Sequence, residues 1–249
     1  MGHRNLDGKL AVVTGGSNGI GAACVRAFAE AGARVVVGYH HGIERAEALR
    51  ASLPGSGHRV AAIALEDEAS HTRLAEALGT DPGRVDILVN SAGYTRKVAH
   101  DDLNTMTPAL FNEILLANAG GPFSVTRALL PLLQASGDGL VVNVSSVSAF
   151  TGGGSNIAYC AAKAALDTLA LSMARVFGPQ VRFMTVSPAG VDTGFVEGRT
   201  REDLQKRAVR TPLGRVVTPE DVADSVLACA THLRASTGAR IVVDGGHVL

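Results

Sequence analysis

Seven short runs of apolar, largely β-branched residues recur along the chain, and longer stretches with apolar positions at helical spacing fill the gaps between them. The runs fall near Leu10–Thr14, Arg34–Gly38, Val60–Ala64, Val85–Val89, Leu140–Val144, Val181–Val186 and Arg240–Val243. Uninterrupted apolar runs of this length suit strands covered on both faces, as in a parallel sheet. Parallel strands need crossovers, and the helical stretches supply them. The pattern therefore predicts repeated βαβ units with right-handed connections. No linker, low-complexity tract or fixed-period repeat breaks the alternation, so residues 1–249 are expected to form one domain.

Composition narrows the class. A chain of 249 residues can bury a sizeable core, and 46% hydrophobic residues with 29 glycines suit buried strands joined by tight turns. The formal net charge is zero and the pI near 7.1, which gives no electrostatic reason for a nucleic-acid or anionic-membrane partner. Cys24, Cys160 and Cys229 lie far apart without metal-ligand spacing. No metal site is expected, and a reducing, cytoplasmic setting is. The start, Met1 to Lys9, is polar and leads straight into the first strand, so no signal peptide is expected. Leu6 stands where a myristoylation signal wants a hydroxyl residue, and no apolar run approaches the length of a membrane span.

Candidate chemistry gathers where strands end. Tyr159 and Lys163 stand four apart in an Ala- and Leu-rich stretch that reads as helix, so phenol and ammonium share a face. A cation beside a phenol favours the phenolate and brings its pKa toward the working range. Upstream, the run Gly139 to Val144 ends in Ser145-Ser146, and Leu88-Val-Asn90 ends in Ser-Ala92-Gly93. The first strand ends in Thr14-Gly15-Gly16-Ser17-Asn18-Gly19-Ile20-Gly21, just before a helical pattern. Glycine there permits a tight turn and close backbone approach to a pyrophosphate, toward which the opening helix would point its amides. Three strands thus deliver small or polar residues at their carboxyl ends, where open α/β sheets bind ligands. A long helix is predicted from Thr107, its cap, with Pro108 at the first position. Pro122 cannot donate to the carbonyl of Asn118 and should bend that helix, leaving a carbonyl that could hold a water, or simply a tolerated kink.

With these residues in order, the chain resembles the single-domain short-chain dehydrogenase/reductases, from about Leu6 to Gly246. The loop Thr14-Gly15-x-x-x-Gly19-Ile20-Gly21, the turn Asn90-Ser-Ala92-Gly93 and the set Asn118, Ser146, Tyr159, Lys163 match that family's motifs in order and spacing. Pro188-Ala-Gly190-Val191-Asp-Thr193 resembles the loop that meets the nicotinamide. Pro212-Leu-Gly214-Arg215, Pro219-Glu-Asp221-Val-Ala223 and Val243-Asp244-Gly245-Gly246 match signatures near the C-terminus. The resemblance implies a doubly wound, Rossmann-type sheet of seven parallel strands in the order 3-2-1-4-5-6-7, with helices on both faces. It also implies a homotetramer and a small-molecule carbonyl or alcohol substrate. Tyr159 would be the proton donor or base. Lys163 would lower its pKa and hold the nicotinamide ribose, and Ser146 would bond the carbonyl oxygen, with Ser145 its local competitor. Asn118 would hold the bend and a water. The implied cofactor contacts are Gly15, Ser17, Asn18, Gly19, Ile20 and Gly21 in the loop; Tyr39 and His40 after the second strand; Leu65 after the third; Asn90, Ala92 and Gly93; Tyr159 and Lys163; and Pro188, Gly190, Val191 and Thr193.

Cofactor choice turns on the end of the second strand. An acid at Tyr39 would select the ribose of NAD; none stands there, and His40 and His41 follow, able to pair with a 2′-phosphate or simply to form an exposed loop. NADP(H) is thereby favoured over NAD(H), although Asn18 replaces a basic residue common in NADP-using relatives. Ala64 occupies the place of an Asp that contacts adenine, and Glu66 or Asp67 could substitute only if the loop shifts. Ala189 replaces a glycine, which puts a rebuilt turn at Gly190 and Val191. The expected lid, about residues 194–211, carries Arg199, Arg201, Lys206, Arg207 and Arg210, which could receive a phosphopantetheine carrier or coenzyme A, or form the wet face of a short helix. Leu129, Leu130, Leu132, Leu133, Leu166, Leu169 and Leu171 suit either a subunit contact or the core. Many relatives with these motifs are β-ketoacyl carrier-protein reductases, which makes reduction of a 3-oxoacyl thioester the leading expectation. The alternatives are an NAD-dependent dehydrogenase of a sugar, steroid or small alcohol, and a dinucleotide-binding regulator without turnover.

Overall fold

The computed structural model describes residues 5–249, so the first four residues of the segment read for targeting signals lie outside them. Seven strands form a single sheet: β1 (Leu10–Thr14), β2 (Arg34–Tyr39), β3 (Arg59–Ala62), β4 (Ile87–Asn90), β5 (Gly139–Val144), β6 (Val181–Pro188) and β7 (Ala239–Val243). Their order is β3-β2-β1-β4-β5-β6-β7, every neighbouring pair parallel, as the sequence predicts. Side chains alternate across the sheet, and both faces are apolar. Val13, Val35, Val37 and Val89 face a core shared with helices α1 (Gly19–Glu30) and α9 (Pro219–Thr231). Val12, Val36, Leu88 and Val141 face the opposite core, closed by α3 (Glu68–Thr80), α5 (Gly121–Ala135) and α7 (Ile157–Phe177). That double coverage is why the strands read as continuous apolar runs.

Two strand ends differ from the sequence reading for local reasons. β3 is regular only to Ala62: the Ile63 amide still donates to the Tyr39 carbonyl of β2 at 2.7 Å, and beyond it the Ala64 amide and carbonyl both turn to Ser70 Oγ, at 3.2 and 3.3 Å. β4 begins at Ile87, after Asp86, a buried carboxylate that accepts from the Leu10 amide at 2.8 Å and the Lys9 ammonium at 2.9 Å. Asp86 thereby fastens the start of β4 to the start of β1.

The long helix is broken as Pro122 predicts, through a specific device. Thr107 caps α4 (Pro108–Leu115), accepting from the Leu110 amide at 3.3 Å. A π-helical turn, Leu116–Gly120, then widens the ladder before α5 resumes. The extra residue carries Asn118 inward, fully buried. The remaining helices are α2 (Ile43–Ser52), the one-turn α6 (Ser148–Thr151) and α8 (Arg201–Ala208).

One expectation is corrected: Ile157–Phe177, with 21 residues and mean hydropathy 1.3, has the length and apolarity of a membrane span. Half of it is buried inside the protein, and Lys163 and Asp167 are among its buried residues. This is the composition of a core helix between two sheets of contacts. The leucines divide in the same way: Leu129, Leu133 and Leu166 are core, Leu130, Leu132 and Leu169 are partly buried, and Leu171 is exposed.

Candidate active site

The strand order reverses between β1 and β4, and a cleft of about 1640 Å³ opens at the carboxyl ends there, where doubly wound sheets bind ligands. Thr14 shapes its floor. As the last residue of β1, it accepts from the amides of Ser91 and Ala92, both at 3.1 Å, and so pins the turn after β4. Sequence reasoning gave Thr14 no role of its own.

At one end of the cleft lies the glycine loop. Gly15 and Gly19 have φ of +63° and +49°, and a Cβ on Gly21 would lie 2.2 Å from the Gly15 carbonyl oxygen. No side chain fits there, which leaves the backbone open for a large ligand to lie against. Asn18 caps α1, its Oδ1 accepting from the Gly19 amide at 2.9 Å. The other amides of the first turn remain for an anion. Next along the wall stand His40, His41, Arg45, Ile63, Leu65 and Glu66. His40 Nε2 lies 3.3 Å from Glu66 Oε1, and the two histidine rings are 3.8 Å apart. Asp67 is committed elsewhere, capping α3 and pairing with Arg73 at 3.2 Å, so of the two acids weighed for the adenine end only Glu66 reaches the cleft. Arg45, in the first turn of α2, was missed; its place beside His40 across a turn gave no periodic signal.

At the other end Ser146, Tyr159 and Lys163 converge. The first turn of α7 is fixed by Asn156, fully buried, whose Oδ1 accepts from the Tyr159 amide at 2.7 Å while its Nδ2 donates to the Arg96 carbonyl at 2.6 Å. A cap residue just before an apolar helical run is a legible signal, and it bears directly on where the phenol points. Lys163 Nζ donates to the Val144 carbonyl at 2.9 Å and sits 5.6 Å from the centre of the Tyr159 ring. Phe195, from the lid, faces that ring at 6.0 Å. Ser146 Oγ accepts from the Ser148 amide at 3.1 Å, whereas Ser145 Oγ turns toward the Lys163 carbonyl, 3.5 Å away.

The electrostatics correct the sequence expectation. Burial pushes the Tyr159 phenol up to about 12, with the Ser146 hydrogen bond and the Arg199 charge pulling the other way. Burial likewise pushes Lys163 down to about 8, against the pull of Asp167. Without the cofactor, the Lys163 ammonium is directed at the Val144 carbonyl, and desolvation is the largest influence on the phenol. The phenol therefore holds its proton at neutral pH in the cofactor-free cleft.

Three expected residues do not reach the cleft wall: Tyr39, Asn90 and Asn118. Tyr39 packs its ring on the core. Asn90 Nδ2 donates to Asn143 Oδ1 at 2.9 Å and Thr126 Oγ1 at 3.1 Å, tying β4 to β5 and to α5. Asn118 Nδ2 donates to the carbonyls of Tyr94 at 2.6 Å and Ile114 at 2.9 Å, and its buried Oδ1 has no protein partner. All the others face the cleft, Ser146 and Lys163 included. Gly190 has ordinary backbone geometry, so its role is close approach: a Cβ there would meet Leu204 of the lid helix at 2.8 Å. Within the segment expected as a lid, Arg201–Ala208 forms the short helix α8, its N-terminus held by a capping box between Thr200 and Asp203.

The glycine cradle, the apolar pair Ile63 and Leu65, and a far end lined by hydroxyl and amine groups together fit an extended dinucleotide. Among the described residues no cluster could hold a metal ion.

Comparison with known proteins agrees with this geometry. The family model described as enoyl-(acyl carrier protein) reductase matches residues 15–247. A protein assigned as ketoacyl reductase 2 of the granaticin polyketide synthase of Streptomyces violaceoruber is 38% identical over 245 residues, 96% of either chain. D-threitol dehydrogenase of Mycolicibacterium smegmatis is 35% identical over 251 residues, covering 98% of this chain and 94% of that one. The crystal structure of a gluconate 5-dehydrogenase from Burkholderia cenocepacia, in complex with NADP and tartrate, superposes with a TM-score of 0.88 at 25% identity, over 98% and 97% of the two chains.

Proposed function

Because the chain belongs to the short-chain dehydrogenase/reductase family of NAD(P)-dependent oxidoreductases, we propose that it interconverts a carbonyl and a secondary alcohol with NADP(H). The substrate class we assign is the 3-oxoacyl thioester. The observation that carries the reading is the convergence of Ser146, Tyr159 and Lys163 at one end of a cleft whose other end is a glycine cradle.

When bound, the nicotinamide supplies or accepts the hydride. The chain's own groups do the rest. Ser146 and Tyr159 donate to the substrate oxygen, holding it and stabilising the negative charge that develops there. Tyr159 then gives up its proton to that oxygen; the raised pKa of this half-buried phenol suits a group that must arrive protonated. Lys163 donates to Val144 and has further N–H groups to offer ribose hydroxyls. Asn118 acts from beneath, its unpartnered Oδ1 at the π turn being the place for a water that relays protons to Lys163. Residues 194–211 form the lid over this end of the one domain.

His40, His41 and Arg45 on the wall, with no acid at Tyr39, support NADP(H). Glu66 is the observation that favours a second reading, since a carboxylate there could accept from an NAD ribose; its pairing with His40 offsets it. The relative named as a ketoacyl reductase supports the thioester, and the gluconate dehydrogenase solved with NADP supports the cofactor. Leu116, Phe123, Leu171 and Val176 are exposed on the helical segments that carry Asn118 and Tyr159, a face suited to a homotetramer. Cys24, Cys160 and Cys229, all buried and unpaired, suit the cytoplasm. Titration with NADPH and NADH, followed by nicotinamide fluorescence, tests the cofactor: tighter NADPH supports the reading, and tighter NADH turns it to a dehydrogenase of secondary alcohols.

A further inference from the structure

Arg199 lies on the loop before α8 and is turned into the cleft. Its Nη1 would lie 3.7 Å from a Cβ on Gly190, and its charge is felt at the Tyr159 phenol. It is half-buried, yet among the described residues no carboxylate stands within ion-pair distance of it. The acids nearby are engaged. Asp192 faces Arg201 at 3.8 Å, and Asp203 accepts from the Thr200 amide at 3.2 Å in the capping box. Glu113, on α4, is the other acid of this wall. Arg207 acts against the Arg199 charge; Asp203 pulls the other way from beyond ion-pair distance, and is itself shared with Lys97 and Lys206.

A half-buried guanidinium without a counter-ion bears desolvation and repulsion together. An oxyanion relieves both and matches the planar fork of donors. Position says which molecule would bring it. The glycine cradle suits a pyrophosphate at the far end, whereas Arg199 stands over Gly190 in the same cleft as Tyr159 and within electrostatic reach of its phenol, the end where a reacting carbonyl would lie.

We infer that Arg199 receives an anionic group of the substrate, a carboxylate or a phosphate, and so selects charged substrates over neutral ones. The inference rests on the carbonyl-reductase reading and adds to it what the substrate must carry. A free 3-oxo acid offers a carboxylate close to the carbonyl; a carrier thioester offers phosphates farther along. Both present the same oxyanion chemistry.

Two matched pairs separate the sources: acetoacetate against methyl acetoacetate, and acetoacetyl-coenzyme A against the uncharged acetoacetyl-N-acetylcysteamine thioester. The full-length enzyme with NADPH should prefer the charged member of one pair, and Arg199→Gln should reduce that preference about 10- to 100-fold, the scale of a hydrogen bond to a charged group. Arg199→Lys should restore part of it. Collapse in the free-acid pair alone identifies a carboxylate, and in the thioester pair alone a phosphate. A preference unchanged by Arg199→Gln, or none in either pair, overturns the inference. Absence of turnover with all four compounds would instead count against the carbonyl-reductase reading. Calorimetric binding of the same four to Tyr159→Phe loaded with NADP⁺, with and without Arg199→Gln, then decides the inference without catalysis: charge-selective binding that needs Arg199 supports it, and binding indifferent to Arg199 refutes it.

Discussion

Replacing Lys163 with methionine should make the cofactor-free protein more stable at neutral pH while disabling it. The ammonium is 5% exposed, and its one hydrogen-bond acceptor is the Val144 carbonyl. Burial lowers its pKa from 10.5 to about 8. At 1.36 kcal/mol per unit, holding the proton below pH 8 costs the folded state roughly 3 kcal/mol. Losing the hydrogen bond to Val144 gives back about 1 kcal/mol, so Lys163→Met should gain roughly 2 kcal/mol at pH 7, methionine filling similar volume. The sign with pH follows. Between about 8 and 10.5 the unfolded chain holds this proton and the folded chain does not, so wild-type stability rises with pH across that window. The variant lacks that rise, so its advantage should vanish at about pH 9.5 and end, above pH 10.5, as a deficit of about 1 kcal/mol from the lost hydrogen bond. Urea unfolding at a series of pH values measures both curves. Parallel curves from pH 7 to 10 would show that Lys163 does not carry a buried-charge penalty, and the argument would fail.

Gly21→Ala should cost about 1–3 kcal/mol of stability, because its Cβ meets the Gly15 carbonyl, and NADPH titration should show binding weakened by roughly tenfold or more as the loop shifts to admit it. His40→Asp should move the ratio of NADPH to NADH affinity toward NADH by about tenfold or more, on the scale of a charge-assisted contact replaced by a like charge; no shift would make His40 a bystander. Asp221→Ala should cost about 1–2 kcal/mol in chemical unfolding, through loss of the capping box with Thr218 and the fork from Arg215 at 2.6 and 2.8 Å. Arg215 and Thr218 hold the Asp221 carboxyl far below the usual range, so its contribution is present above about pH 4 and fades as acid protonates the folded form. The variant should show a shallower acid limb.

The sheet was legible because its inner strands are apolar on both faces, and the glycine loop because its spacing requires a turn between strand and helix. Tyr159 and Lys163 share a helix face as their spacing requires, but spacing carried no information on burial, which in the cofactor-free cleft pushes the phenol up. Asn118 illustrates the same limit: Pro122 announced a break, while the π turn that buries the amide depends on its contacts with Tyr94 and Ile114. Arg45 gave no signal, and Arg199 stood undistinguished among five cations that could meet a phosphorylated carrier or form a wet helix face, since nothing local reveals which of them turns toward a cleft assembled from distant strands.

The central claim is that Tyr159 protonates the substrate oxygen in an NADPH-linked reduction. NADPH consumption with acetoacetyl-coenzyme A, measured for the wild type and for Tyr159→Phe at equal cofactor occupancy, tests it most directly. The account predicts turnover by the wild type and a loss of about a hundredfold to ten-thousandfold in the variant, with NADPH binding retained. Wild-type rates in Tyr159→Phe would contradict it.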